Sequence, residues 1–282
     1  DSFVADCPNP RYLNDMHFAL GTVLEKDGES AEAYEHLLTV NPNELPYSRQ
    51  DEYYFRTGYA AFQNGNTDEA YDYFRQCTGD PAYAPHATYY KSYIDYSRGD
   101  LNAAKEGFKS IADVPAYEPI IPFYLLQIEF RQGNYDYVIE HGVPLMAKAT
   151  GTREIEIARI LSESYFRKQM YAEALDQIEN YERLGGEMGV EELYLAGYSN
   201  YNRLYYTKAS GQLTAVAEQG GELGQNAAFH LGDGYLKLGD KPKALRAFTQ
   251  AYAADFKAPR TYLTHRYRSC SGHFYSDCCS CS

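Results

Sequence analysis

Two stretches far apart in this chain align without a gap. When "YFRTGYAAFQNGNTDEAYDYF" is set over "FHLGDGYLKLGDKPKALRAF", Gly58 falls on Gly232, Gly65 on Gly239, Ala70 on Ala244 and Phe74 on Phe248. Taking Gly58 and Gly232 as an anchor slot, the same frame recovers Gly21, Ser92, Leu126, Ser162 and Gly197, at successive intervals of 37, 34, 34, 36, 35 and 35 residues. A period in this range means that each copy is one supersecondary unit, which buries its apolar face only by stacking on its neighbours. The architecture is therefore constrained before any single element is assigned.

Each recurring position has a mechanical role. The anchor slot is mostly glycine or serine, as expected where the first helix of a pair approaches its partner closely. Seven residues on stand Gly28, Gly65, Gly99, Gly133 and Gly239, where glycine supplies the left-handed conformation that ends a helix. Gln169 and Leu204 occupy this slot in the fifth and sixth copies, so those two turns are expected to be built differently. Twelve residues after the anchor slot come Ala33, Ala70, Ala104, Val138, Ala174, Ala209 and Ala244, again small for a close helix crossing. Leu37 and Val40, Phe74 and Cys77, Phe108 and Ile111, and Phe248 and Ala251 then form an apolar stripe at helical spacing. Asp68 and Glu69 open a second helix, where their charge complements its dipole.

The pattern resembles the tetratricopeptide repeat family. That resemblance implies an all-α fold, a right-handed α-solenoid of about seven tetratricopeptide-type helix pairs over residues 14–258. Residues 1–13 are read as the remnant of a preceding repeat, because Phe3 stands one period before Leu37. Residues 259–282 are read as a partial capping helix, "APRTYLTHRYR", and a Cys-rich tail foreign to the pattern. "FVADCPNPRYLNDMHFALG" is similar to segments of bacterial envelope members of the family, of the Tol-Pal coordinator and barrel-assembly lipoprotein type. This points to a periplasmic or envelope-associated protein, with the cytoplasm as the alternative.

Composition narrows the function classes. With 26 basic and 39 acidic side chains, the formal charge of -13 repels phosphate backbones, so nucleic acid is not expected as a partner. No apolar run approaches the roughly 20 residues of a membrane-spanning helix. No catalytic constellation is evident: HExxH and GxSxG are absent, and Gly232, Gly234 and Gly239 fall on packing slots with no strand before them, unlike a phosphate loop. His230 reads as a partly exposed helical histidine. His17, His36, His86 and His141 show no fixed relation to a nucleophile or to each other. Cys270, His273, Cys278, Cys279 and Cys281 are zinc-ligand types at a spacing that fits no structural zinc site. The expectation is a non-enzyme that needs no metal or cofactor and has no small-molecule substrate.

The working surface is expected on the first helices. The family resemblance implies that side chains three before, one after and four after the anchor slot line a concave face. These offsets hold Phe18; Phe55, Tyr59 and Phe62; Tyr89, Tyr93 and Tyr96; Phe123 and Phe130; Phe166; Tyr194, Tyr198 and Tyr201; and Phe229. Such an aromatic groove would bind an extended or helical protein segment, or alternatively carbohydrate or peptidoglycan, since flat rings also stack on sugars. A third possibility is that the rings simply stack on one another as core. Arg131, Arg159 and Arg167, near Gln127, could clamp a carboxylate, or could pair with Glu156 and Glu163. The lysine and asparagine pattern of chaperone-cofactor repeats is absent, so that role is not transferred.

Overall fold

The computed structural model describes residues 10–254, and the expectations about Phe3 and residues 259–282 lie outside them. Among the described residues the chain forms fourteen α-helices, one short 3-10 turn and no strand. They are α1 (Pro10–Lys26), α2 (Ser30–Leu38), α3 (Tyr47–Gln63), α4 (Thr67–Gln76), α5 (Ala84–Arg98), α6 (Leu101–Ser110) and α7 (Ile121–Arg131). There follow α8 (Tyr135–Met146), α9 (Thr152–Arg167), α10 (Tyr171–Arg183), α11 (Val190–Asn202), α12 (Tyr206–Gln219), α13 (Gly221–Lys237) and α14 (Lys241–Ala253). Each anchor slot lies on an odd-numbered helix and each alanine slot on the next even-numbered one. The described residues divide into two compact units, with the boundary between Leu125 and Leu126, inside α7.

The slots do what their residue sizes require. All seven alanine-slot side chains, Val138 included, are buried. At the anchor slot, a Cβ added to Gly58 would stand 2.9 Å from the Phe74 ring, one added to Gly197 would stand 2.8 Å from Leu213, and one added to Gly232 would stand 2.8 Å from Phe248. A large side chain sixteen residues on therefore fills the notch that the glycine leaves. The third repeat fits Ser92 into this slot by placing Gly107 opposite, where an added Cβ would lie 2.0 Å from the serine Oγ.

The fourth repeat reverses the arrangement. Leu126 holds the anchor slot fully buried, and Gly142 stands sixteen residues on, where Leu37, Phe74, Phe108, Ile178, Leu213 and Phe248 stand in the other repeats. A Cβ on Gly142 would come 2.9 Å from Leu161 Cδ2 and 3.5 Å from Leu126 Cδ1. Large and small residues have exchanged helices, and the space at Gly142 is filled more closely by Leu161 of α9 than by Leu126.

The interhelix turns correct one expectation. Gln169 and Leu204 take φ of 61° and 65°, in the same left-handed region as Gly65 at 80° and Gly239 at 79°. The hydrogen bonds match as well: Met170 N–H donates to Tyr165 O at 2.9 Å and Tyr205 N–H to Asn200 O at 2.9 Å, as Asn66 N–H does to Ala61 O at 2.9 Å. These are the bonds that satisfy the last carbonyls of a helix. The turn is one structure in all seven repeats, and in two of them it is made by a residue whose Cβ strains the conformation.

Candidate functional site

In the first unit, the predicted groove residues lie on α3, α5 and the start of α7, and they pack mainly on rings outside the predicted set. Phe62 and Tyr89 are buried, while Phe55, Tyr59, Tyr93, Tyr96 and Phe123 are half-buried; Phe18, on α1, is core. The organising rings are two that the offsets do not single out. Tyr90 lies 5.3 Å from Tyr59, 5.3 Å from Phe62 and 5.5 Å from Phe74, the last as a stacked pair. Tyr124 stacks on Phe108 at 4.8 Å and meets Tyr89, Tyr93 and Tyr96 edge-on at 6.1, 6.1 and 5.8 Å. Both stand two residues before an anchor slot, so each reaches back onto the preceding helix pair. The expected aromatic surface in this unit is thus partly covered by these two rings, with Phe62 and Tyr89 buried and the other five half-buried.

In the second unit, Phe130, Phe166 and Tyr194 are buried, and Tyr198 and Tyr201 are half-buried. Tyr198 is the hub of a cluster built from α9, α10, α11 and α13. Its ring lies 5.6 Å from Phe166, 6.0 Å from Tyr171, 5.7 Å from Tyr194, 6.2 Å from Tyr201 and 4.7 Å from His230. Phe229, adjoining His230 at a ring distance of 5.4 Å, remains 53% exposed. Tyr201 Oη donates to Asp233 Oδ2 at 2.6 Å, and burial followed by this bond pushes the phenol well above its ordinary range. His230 is drawn below the ordinary histidine range by burial, which outweighs the opposing charge of Asp233. Its Nδ1 is buried without a hydrogen-bond partner.

Arg159 and Arg167 are both engaged by carboxylates of their own helix. Arg159 Nε and Nη2 donate to the two carboxylate oxygens of Glu156 at 2.8 and 2.6 Å, and Arg167 Nη2 donates to Glu163 Oε1 at 2.9 Å. Glu163 also stands 3.9 Å from Arg159 Nη1, so its buried carboxylate lies between two guanidiniums. The guanidiniums of Arg159 and Arg167 sit over the rings of Phe130 and Tyr135 at 5.9 and 5.8 Å. Pairing with Glu156 and Glu163 is therefore the arrangement found. Arg131 closes α7, half-buried.

The histidines bring a second correction. His17 on α1 and His36 on α2 meet with their Nδ1 atoms 3.0 Å apart. The described residues hold no group of three or more histidine, cysteine or acidic side chains placed to hold a metal ion. No described helix is long and apolar enough to cross a membrane.

The family model for the tetratricopeptide repeat matches residues 51–79, which span most of α3 and all of α4. No curated protein matches the chain. Among solved structures, it is similar to the C-terminal part of a TPR repeat-containing protein from Cytophaga hutchinsonii, at 15% identity and a TM-score of 0.59, covering 86% of this chain and 96% of that one. It is also similar to a tetratricopeptide repeat protein from Parabacteroides merdae, at 10% identity and a TM-score of 0.52, covering 87% of this chain and 94% of that one. At these identities the likeness concerns the fold. Proteins of this fold are typically non-enzymatic scaffolds that bind proteins or peptides. The chain carries a tetratricopeptide repeat at residues 51–79 and has, in its helix pairs, the fold of tetratricopeptide repeat proteins.

Proposed function

We propose that this chain is a non-catalytic scaffold that holds an extended or helical protein segment, and that the surface of α11 and α13 in the second unit is where it does so. The observation that carries this reading is Phe229. It is 53% exposed at a groove offset, with its ring against Phe248 and against His230, which in turn meets the half-buried rings of Tyr198 and Tyr201. It stands four residues before Asp233 on the same helix, and the Asp233 carboxylate accepts from the Tyr201 hydroxyl. An apolar ring beside an oriented carboxylate suits a segment that presents an apolar side chain with a basic neighbour. A protein with a formal charge of -13 also attracts such a segment from a distance. A bacterial envelope location is part of the proposal, supported by the similarity of residues 3–21 to envelope proteins of the family.

The test is selection of peptides from a random library, followed by measurement of the selected peptides against variants. Phe229→Ala and Asp233→Asn should each weaken binding by about 1–3 kcal/mol, the range of interface anchors, with helical content unchanged. Unchanged affinity in both variants would remove this surface from consideration. Competition by N-acetylglucosamine oligomers would instead favour the carbohydrate alternative.

A further inference from the structure

His17 and His36 lie nineteen residues apart on antiparallel helices, and their rings meet with centroids 5.2 Å apart and planes inclined at 36°. Both rings are only partly buried, so solvent reaches the pair. The surrounding backbone is fixed from two sides. Asn14 Oδ1 accepts from Asn41 N–H at 2.7 Å and Asn14 Nδ2 donates to Asn41 O at 3.1 Å, tying α1 to the segment after α2. Thr39 Oγ1 donates to His36 O at 2.7 Å. The two imidazoles are thus presented together by a helix pair whose spacing is already set by Leu37 against Gly21.

We propose that His17 and His36 form a two-nitrogen chelating site for a divalent transition cation of tetragonal preference, nickel(II) or copper(II), with water completing the coordination. Metal–imidazole bonds of roughly 2.05 Å to two nitrogens at the observed separation of 3.0 Å enclose an angle of about 94°. That is close to the right angle of a square-planar or tetragonal site, whereas a tetrahedral ion would hold the nitrogens about 3.3 Å apart. A tetragonal ion therefore asks for the smaller change in the separation of the two nitrogens. The nitrogens now face each other as donor and acceptor, so each ring must turn by roughly 43° for both lone pairs to converge on one ion, a movement within reach of the soft histidine χ2. The shared Nδ1 proton moves to Nε2 of the same ring as the tautomer changes, and both ligands bind as neutral imidazoles with no net proton release. A bound ion would clip α1 to α2 and raise the stability of this helix pair by mass action.

Nickel(II) is the probe, because thiols reduce copper(II). Calorimetric titration of the full chain should show one binding event that is weakened by more than about ten-fold in His17→Ala and equally in His36→Ala, and is kept in His141→Ala. Any binding by the C-terminal cysteines would appear as a separate event common to all four proteins. In the unsubstituted protein, where folding is not in question, substoichiometric nickel should broaden the ring-proton resonances of His17 and His36 together and ahead of His141. Broadening of all histidines alike, or loss of binding in only one of the two alanine variants, would overturn the proposal.

Discussion

Replacing Leu204 by glycine should stabilise the second unit, although it deletes a large apolar side chain. Leu204 holds φ at 65° in the turn between α11 and α12, and its side chain is 68% exposed. A non-glycine residue in the left-handed region costs about 1–2 kcal/mol, and little burial is lost with so exposed a side chain. Against this, glycine loses roughly 0.5–1 kcal/mol more backbone entropy on folding. The net expectation is a gain of about 0.5–1 kcal/mol, or a rise in Tm of about 1–4 °C for a domain of this size. Leu204→Ala separates the causes, because it removes the side chain but keeps the Cβ that strains the turn. Thermal unfolding followed by circular dichroism should therefore place glycine above wild type and alanine at or slightly below it. If glycine melts below wild type, or if alanine gains as much as glycine, backbone strain at this turn is not the governing term.

The same turn shows how far the sequence can be read. Five glycines, each seven residues after the anchor slot, mark it correctly, and the alanine slots are buried throughout. Gln169 and Leu204 mislead because residue type alone does not decide the conformation; the paired backbone bonds to Tyr165 O and Asn200 O offset the strain. The exchange of Leu126 and Gly142 is illegible slot by slot, since the compensating change lies on the other helix. For the candidate site, offsets place the aromatics on the correct helices but carry no information about exposure. Whether Phe62 or Tyr93 meets solvent depends on Tyr90 and Tyr124, which reach back from the following helix, and that pairing emerges only once adjacent repeats are stacked. The contact of His17 with His36 has the same origin: neither residue is near the other until the two helices fold back on each other.

Two further outcomes are expected. Tyr124→Ala should destabilise the first unit by about 2–4 kcal/mol, because it removes the ring that joins Phe108 to Tyr89, Tyr93 and Tyr96; denaturant unfolding measures this, and a change below about 0.5 kcal/mol would show the ring cluster to be incidental. Lowering the pH from 7 to 5 should reduce the Tm, because His230 has a depressed pKa in the folded state and the unfolded chain takes up the proton first. Stability that is fully present above the unfolded value of about 6.5 is then lost as the pH falls from there toward the folded value; His230→Phe should flatten the pH dependence, and an unaltered profile would contradict the assignment.

The central structural claim is that one register runs through all seven helix pairs, including the fourth, where the large and small residues change places. Leu126→Gly should destabilise by several kcal/mol, through loss of a fully buried side chain and a glycine within a helix. Gly142→Leu should cost about 1–3 kcal/mol by overpacking against Leu161 and Leu126. The measurement is the double-mutant cycle by equilibrium denaturation. The double variant, which restores the orientation of the other repeats, should be more stable than the sum of the single changes allows by at least about 1 kcal/mol. Strict additivity of the two losses would contradict it.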